Sequence, residues 1–400
     1  MDPKSLFSLN DHLEMLSRHG DPLEILERAV DFEYFRDWLV DGLGYGDGSK
    51  GGRPPFDPVA MFKILILQAR HNLSDARMEY MIRDRLSRMR FLGFALGDRT
   101  PDENTIRYFR NRMTETGTLK RVMKAFDWQL HKKGYIPMSG QVIDTSLVPA
   151  PKQRNTDDEQ KSIKDGKSAQ DIWPNDPAKA AQKGTDARWT LKIGGKVRYK
   201  DGKPLPMIAL PVFGYKSHIS IDRRYGFIRA GEVTSASHAD GRMLRHVIAE
   251  NSGSEVWADT AYRSRTNETW LADRMLTSRI HRRKLRGKFM PRATARANAA
   301  KSAIRARIEH VLAHQKNRFG LFIRTIGIKR AEAKLNLANL AYSRRSDRHR
   351  QARDCRIRSD RQLSPHSGAS IAVRRVRTAP DFIGRFGPDT RSAAQWLGQE

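Results

Sequence analysis

The sequence predicts an α/β core preceded by an all-helical N-terminal region. Three observations carry this reading. Helix-start signals with helical apolar spacing run up to about residue 135, short β-branched apolar runs begin at residue 138, and long helical runs return from residue 299. Residues 1–45 read as helical, with apolar positions at Leu23, Ile25, Leu26, Val30 and Phe32, and a Gly-rich break follows from Gly42 to Gly52. Asp57-Pro58 is a helix start, because a capping carboxylate precedes a proline whose missing N–H costs nothing in the first turn. That helix carries Met61, Ile64, Leu65 and Leu67, and a second opens near Ser74 with Met78, Met81, Ile82 and Leu86. Thr100-Pro101-Asp102-Glu103 reads as a capping box with a first-turn proline, ahead of Ile106, Arg107, Phe109, Arg110 and Arg112. Three short helices, the last rich in arginine, resemble a helix-turn-helix; a helical bundle with a solvated basic face accounts for them as well.

From residue 138 the pattern changes. Gln141 to Val148 is short, apolar and β-branched, and strand-like runs recur at Trp189–Leu191, Met207–Lys216, His218–Asp222, Gly226–Val233 and Glu255–Ala258. Residues 150–185 are polar and rich in Lys, Asp, Gly and Pro, and read as a mobile insertion. Helical runs sit at Met243–Glu250, Asn267–Met275, Ala299–Arg318 and Ala331–Tyr342. From Ser343 onward the usage shifts abruptly: 58 residues hold 13 Arg and no Lys. This tail has no sustained period and reads as a disordered extension or a slipped reading frame.

The chain has 400 residues, with 74 Lys and Arg against 45 Asp and Glu. An excess of +29 suits a polyanionic partner, since each basic side chain that meets a phosphate releases a counterion. Charge alone does not separate DNA from RNA or from an anionic membrane. The membrane reading is weakened because no run of about 18 apolar residues exists. Met1 to Asp11 mixes polar and acidic residues, unlike a signal peptide. The single cysteine, Cys355, permits no disulfide framework or cysteine-based zinc site, and a reducing cytoplasm is the natural setting.

Three carboxylates stand out. Asp144 lies inside an apolar strand, with Val142 and Ser146 on its face and Ile143, Thr145 and Leu147 on the other. A charge there costs free energy unless it is paired or holds a metal. Asp259 repeats the situation at the end of Val256-Trp257-Ala258. The plainer alternative is that each aspartate caps the turn after it. On the helix from Ile304 to Leu312, Ile304, Ile308, Val311, Leu312 and Gln315 form one stripe at about 100° per residue. Arg305, Glu309 and Lys316 cluster at its edge, so Glu309 looks out from the border of the packed face. The plainer alternative here is an Arg305–Glu309 surface pair. Between Asp273 and Glu309, however, there is no acidic residue and there are 12 basic ones. Two Asp and one Glu suit Mg²⁺ or Mn²⁺. Two such ions about 3.5–4 Å apart perform phosphodiester chemistry.

These motifs resemble a known family. Ile304 to Gly320, "IRARIEHVLAHQKNRFG", is similar to the catalytic-glutamate helix of DDE transposases from bacterial insertion sequences, in the class typified by insertion sequence five. The signature of that wider group is Tyr, two residues, Arg, three residues, Glu, six residues, Lys. Arg305, Glu309 and Lys316 fit it, while Ser302 stands at the tyrosine position. Val142 to Leu147 resembles the first-Asp strand and Ala258-Asp259-Thr260-Ala261-Tyr262 the second-Asp motif. Gly51 to Arg112, Asp186 to Trp189 and Gly214 to His218 are similar to further landmarks, and the resemblance covers residues 15–342.

The resemblance implies an RNase H-like catalytic core, a mixed sheet flanked by helices, after an all-helical DNA-binding domain. Asp144 would lie on the first strand, Asp259 on or just after the fourth, and Glu309 on a late helix. The domains read as an N-terminal helical segment at 1–50 and a helix-turn-helix-like DNA-binding domain at 51–135. The catalytic domain spans 136–342 with a polar insertion at 150–206, and the Arg-rich tail covers 343–400. Asp144, Asp259 and Glu309 would be catalytic and hold two Mg²⁺ or Mn²⁺ ions. Arg305 and Lys316 would contact DNA near the cut or orient Glu309, and Arg107, Arg110, Arg112 and Lys216 are further candidate DNA contacts. Family members bind terminal inverted repeats, cut at the ends and join the 3′-hydroxyl to target DNA. They act as homo-oligomers on double-stranded DNA, in the cytoplasm at the bacterial nucleoid. A catalytically impaired, transposase-derived DNA-binding protein and a nuclease without joining activity are the alternatives. His310 and His314 share a helix four residues apart but lack further soft ligands for zinc. His238 and Asp240 read as a turn that could approach the site. Lys216 and His218 share a strand face, and Trp189 and Trp257 read as core.

Overall fold

The computed structural model describes residues 8–45, 54–134, 139–193, 199–200, 203–204, 209–250, 254–285 and 287–343. Helices α1 (Ser8–Arg18), α2 (Pro22–Ala29), α3 (Arg36–Leu43) and α4 (Pro58–His71) open the chain. They are followed by α5 (Asp75–Asp84), α6 (Leu86–Leu92), α7 (Glu103–Glu115) and α8 (Thr118–Lys132). Asp57 caps α4 by accepting from the Ala60 N–H, and Ser74 caps α5 through the Arg77 N–H, as their sequence positions predict. The cap of α7 falls elsewhere: Asp102 accepts from the Thr105 N–H, while the buried Thr100 hydroxyl receives Arg83 Nε at 2.9 Å. Placing Asp102 at the cap leaves Pro101 outside the helix, where its fixed φ costs no helical hydrogen bond. Leu26, Phe35, Leu39, Phe62, Ile64, Ile106 and Val122 fuse these helices into one core, which also takes in Phe227, Leu337 and Leu340 from later in the chain.

The sheet begins with β1 (Gln141–Pro149). The polar stretch after it is not irregular. It folds into three short helices, α9 (Asp157–Lys164), α10 (Ala169–Ile172) and α11 (Pro177–Gln182), capped by Thr156, Ser168 and Asp176. Its low hydrophobicity conceals this because side-chain caps, rather than an apolar stripe, mark these helices. Strands β2 (Arg188–Ile193), β3 (Tyr199–Lys200), β4 (Lys203–Pro204), β5 (Ala209–Asp222) and β6 (Ile228–Ser235) follow. Then come α12 (Leu244–Val247), β7 (Glu255–Trp257), α13 (Arg265–Asp273), β8 (Thr277–Ser278) and α14 (Arg292–Phe319). Residues 328–343 form a closing helix.

The main sheet runs β2-β5-β1-β7-β8, with β6 also on β5, and β3 pairs with β4 separately. β1 is antiparallel to β5 and parallel to β7, and β7 is parallel to β8. Leaving aside β2, which pairs only with the outer half of β5, the order β6-β5-β1-β7-β8 is the RNase H-like arrangement, with β7 as its fourth core strand. Gly214 marks where the two halves of β5 part. At φ 154° it is left-handed backbone, and a side chain there would run into the Val148 carbonyl of β1.

Strand alternation sorts the core onto both faces of the sheet. Val142, Ile219, Ile221 and Trp257 pack with Ile308, Val311 and Leu312 of α14. Ile143, Val256 and Ala258 pack on the other face with Leu244, Val247, Tyr262 and Leu271. Trp257 is core, as expected, but Trp189 is half exposed on the edge strand β2, where it packs at a tilt against Phe213, with ring centroids 5.4 Å apart. The glycine-rich residues 46–53 and the tail from 344 lie outside the described residues.

Candidate active site

β1 and β7 lie side by side, with Gln141 beside Val256 and Val142 beside Trp257. Asp144 and Asp259 each stand two residues past that last pair, so the parallel register brings both to the same level where β7 ends. Ligands of open α/β sheets bind beyond such carboxyl ends. Asp144 points toward α14. Its Oδ1 accepts the Thr145 N–H at 2.8 Å, and its Oδ2 accepts Arg305 Nη2 at 2.9 Å. Both partners of this ion pair are largely buried, at 17% and 12% exposure. Burial pushes the Asp144 carboxyl above its ordinary range, and Asp259 pushes the same way; Arg305 and the Thr145 N–H oppose them without cancelling them. Asp259 caps the 3₁₀ turn Thr260–Tyr262 by accepting the Ala261 N–H at 2.7 Å.

Glu309 is placed differently. It is exposed on α14, one turn beyond Arg305, and its carboxylate forms no ion pair or hydrogen bond among the described residues. The Arg305–Glu309 surface pair does not form, because Arg305 turns inward to Asp144. Among the described residues no three His, Cys, Asp or Glu side chains stand close enough to hold a metal ion. Asp144 and Asp259 are hard oxygen donors that suit a divalent cation. The Arg305 guanidinium supplies the positive charge on Asp144. Arg305 Nε is buried without a partner.

Sequence reasoning missed His281. Its N–H donates to the Ala258 carbonyl at 3.1 Å, which seats it beside Asp259. The residue is 8% exposed and its ring Nε2 has no hydrogen-bond partner. Burial lowers its pKa below 6.5, Arg305 and Lys301 add to this, and Asp259 opposes. Only pairing along the chain after β8 reveals this neighbour, since His281 lies 22 residues from Asp259 in sequence.

The other candidates divide by their surroundings. Lys316 lies two turns past Glu309, and partial desolvation holds its ammonium below the usual range, with Lys192 adding and Asp144 opposing. Arg107 and Arg112 are exposed on α7. Arg110 is engaged within the helical region: it grips both Asp75 oxygens, at 2.6 and 2.8 Å, and reaches Gln68. Lys216 is engaged too, donating to the His238 carbonyl and pairing with Asp240 at 2.8 Å, so it anchors the turn after β6. His218 is fully buried. His314 packs edge-on against Phe319 and Tyr342. A run of basic residues extends from the end of β8 into the first turns of α14, where Arg282, Arg283, Lys284, Lys288, Arg292 and Arg296 are all exposed. No helix among the described residues is long and apolar enough to cross a membrane.

A family model described as a transposase DDE domain matches residues 136–344, and one described as a transposase domain matches residues 11–112. The chain is also similar to a solved structure described as a cryo-EM structure of piggyBac transposase synaptic complex with hairpin DNA. The two share 12% identity, with 82% of this chain and 75% of that one covered, at a TM-score of 0.40.

Proposed function

The chain belongs to the DDE transposase family, and from that membership we propose that it binds the terminal inverted repeats of an insertion sequence, cleaves the DNA at their ends and joins the 3′-hydroxyl to target DNA. A DDE transposase is a metal-dependent DNA-cleaving enzyme. In this reading Asp144 and Asp259 hold the metal, and Glu309, which does not form a three-donor cluster with them in this structure, would be the third donor. Two bound Mg²⁺ or Mn²⁺ ions supply activation of the attacking water or 3′-hydroxyl and charge stabilisation at the leaving oxygen. The observation that carries the reading is the level pairing of Asp144 and Asp259 on adjacent parallel strands.

The chain's own groups do the rest. Thr145 orients Asp144 through its N–H, and Ala261 orients Asp259. Arg305 holds counter-charge beside Asp144 through a charge-assisted hydrogen bond. Lys316, Arg107, Arg112 and the basic run from Arg282 to Arg296 neutralise the DNA backbone on either side of the cut. Arg110 and Lys216 serve as internal braces. The active form is a homo-oligomer holding both element ends, and it works on the nucleoid of a bacterial cytoplasm.

The test is Asp259→Ala on a labelled element end. Cleavage and joining are expected to vanish, while end binding in a mobility-shift assay stays close to that of the unaltered protein. Retained cleavage would sink the reading. Cut ends without joined product would reduce the activity to that of a nuclease.

A further inference from the structure

Behind the two aspartates, on the sheet face away from α14, four side chains are linked end to end, two of them buried and the two threonines half-buried. Tyr262 OH lies 2.6 Å from Thr145 Oγ1, which lies 2.7 Å from His218 Nδ1. His218 Nε2 lies 2.8 Å from Thr234 Oγ1, and the Thr234 hydroxyl donates to the Ser235 carbonyl at 3.2 Å. Tyr262 is 1% exposed and His218 is fully buried.

The last of these bonds sets the direction of all the others, because each hydroxyl has one hydrogen. Thr234 gives its hydrogen to Ser235 and therefore accepts from His218 Nε2–H. A neutral imidazole has one N–H, so Nδ1 is an acceptor and takes the Thr145 hydroxyl hydrogen. Thr145 then accepts from Tyr262 O–H. Burial supports the neutral ring by driving His218 down to about 4, and it keeps the Tyr262 phenol protonated by raising it above its ordinary value. Each donor in the chain has one acceptor, so the network is fully satisfied, the condition under which buried polar groups hold a unique arrangement.

Thr145 immediately follows Asp144, and Tyr262 stands three residues after Asp259, at the end of the turn that Asp259 caps. Their hydrogen bond crosses from β1 to the turn after β7, while His218 and Thr234 tie the same point to β5 and β6. We propose that Tyr262, Thr145, His218 and Thr234 form a positioning relay that fixes the separation of Asp144 and Asp259. These four are positioning residues, not catalytic ones. The inference rests on the reading of Asp144 and Asp259 as the metal-holding pair.

The test measures Mn²⁺ affinity by electron paramagnetic resonance on the full chain, without DNA. Tyr262→Phe and Thr145→Val are each expected to weaken binding about tenfold, the lower end of what support behind a metal ligand is worth. The double variant should lose no more than Thr145→Val alone, because that substitution already removes the bond to Tyr262 together with the one to His218. Thr145→Ser, which keeps the hydroxyl, should rescue affinity. Unchanged affinity in both single variants, with only a lower melting temperature, would overturn the proposal. Asp259→Asn separates this from the underlying reading: its full retention of Mn²⁺ binding would refute the metal-holding role of the pair. A second, metal-free measurement then decides the relay. Nitrogen NMR of labelled histidine should show His218 as the Nε2–H tautomer at pH 7, with the Nδ1 acceptor shift lost in Thr145→Val. An Nδ1–H tautomer or an imidazolium would overturn it.

Discussion

Replacing Arg305 with Met keeps the aliphatic stem packed on α14 and removes only the charge that faces Asp144. The pair is 2.9 Å long with 12% and 17% exposure, so it counts as buried. Removing one partner of a buried pair costs about 3–5 kcal/mol, because the other is left uncompensated. The low end applies, since one contact is lost and the Thr145 N–H stays on Oδ1. A loss of about 3 kcal/mol lowers the melting midpoint by about 4 °C in a chain of this size. The pH dependence carries a sign. Burial, the largest cause, raises the Asp144 carboxyl above 3.8, so its favourable contribution is complete below 3.8 and lost as pH rises through its folded value. Without Arg305 that folded value rises further, and the loss begins at higher pH and goes deeper. The melting curves of the two proteins should therefore lie apart at pH 8 and converge as the pH approaches 4. Added Mn²⁺ should also narrow the gap, because the cation replaces the lost counter-charge on Asp144 in the variant but must compete with Arg305 in the unaltered protein; saturating binding at 100 times its Kd is worth about 2.7 kcal/mol. Equal midpoints at pH 8, or a gap of the same size at pH 4, would refute the ion pair as the counter-charge of Asp144.

Three further outcomes rest on the same structure. Arg110→Ala strips a two-point grip from Asp75 and should cost about 2 kcal/mol in thermal unfolding with little change in the salt dependence of DNA binding. Arg112→Ala should leave stability unchanged and reduce the salt slope by about 1, and the reverse pattern would show that the two arginines have been assigned the wrong way round. His281 should titrate below 6.5 by NMR in the unaltered protein, because burial and then the Arg305 and Lys301 cations disfavour its charge. In Arg305→Met the value should rise, and a His281 that protonates at or above 6.5 in both proteins would refute its buried setting beside Arg305 and Lys301.

The sequence by itself determined what is local. The caps at Asp57 and Ser74, the Ile308–Val311–Leu312 stripe and the strand around Asp144 are legible because capping and periodicity involve residues a few positions apart. The family followed from motifs of that same short range. Only the tertiary structure decided what depends on register between distant segments. It brought Asp144 and Asp259 level through the β1–β7 pairing, gave Arg305 a partner 161 residues away, and left Glu309 facing solvent on the same helix. It also turned Lys216 and Arg110 inward, uncovered Trp189 at a sheet edge, and linked Thr145 to His218 and Tyr262. The physical reason is that a side chain's charge, partner and exposure are set by whichever strand or helix packs against it, and a linear pattern does not encode which one that is.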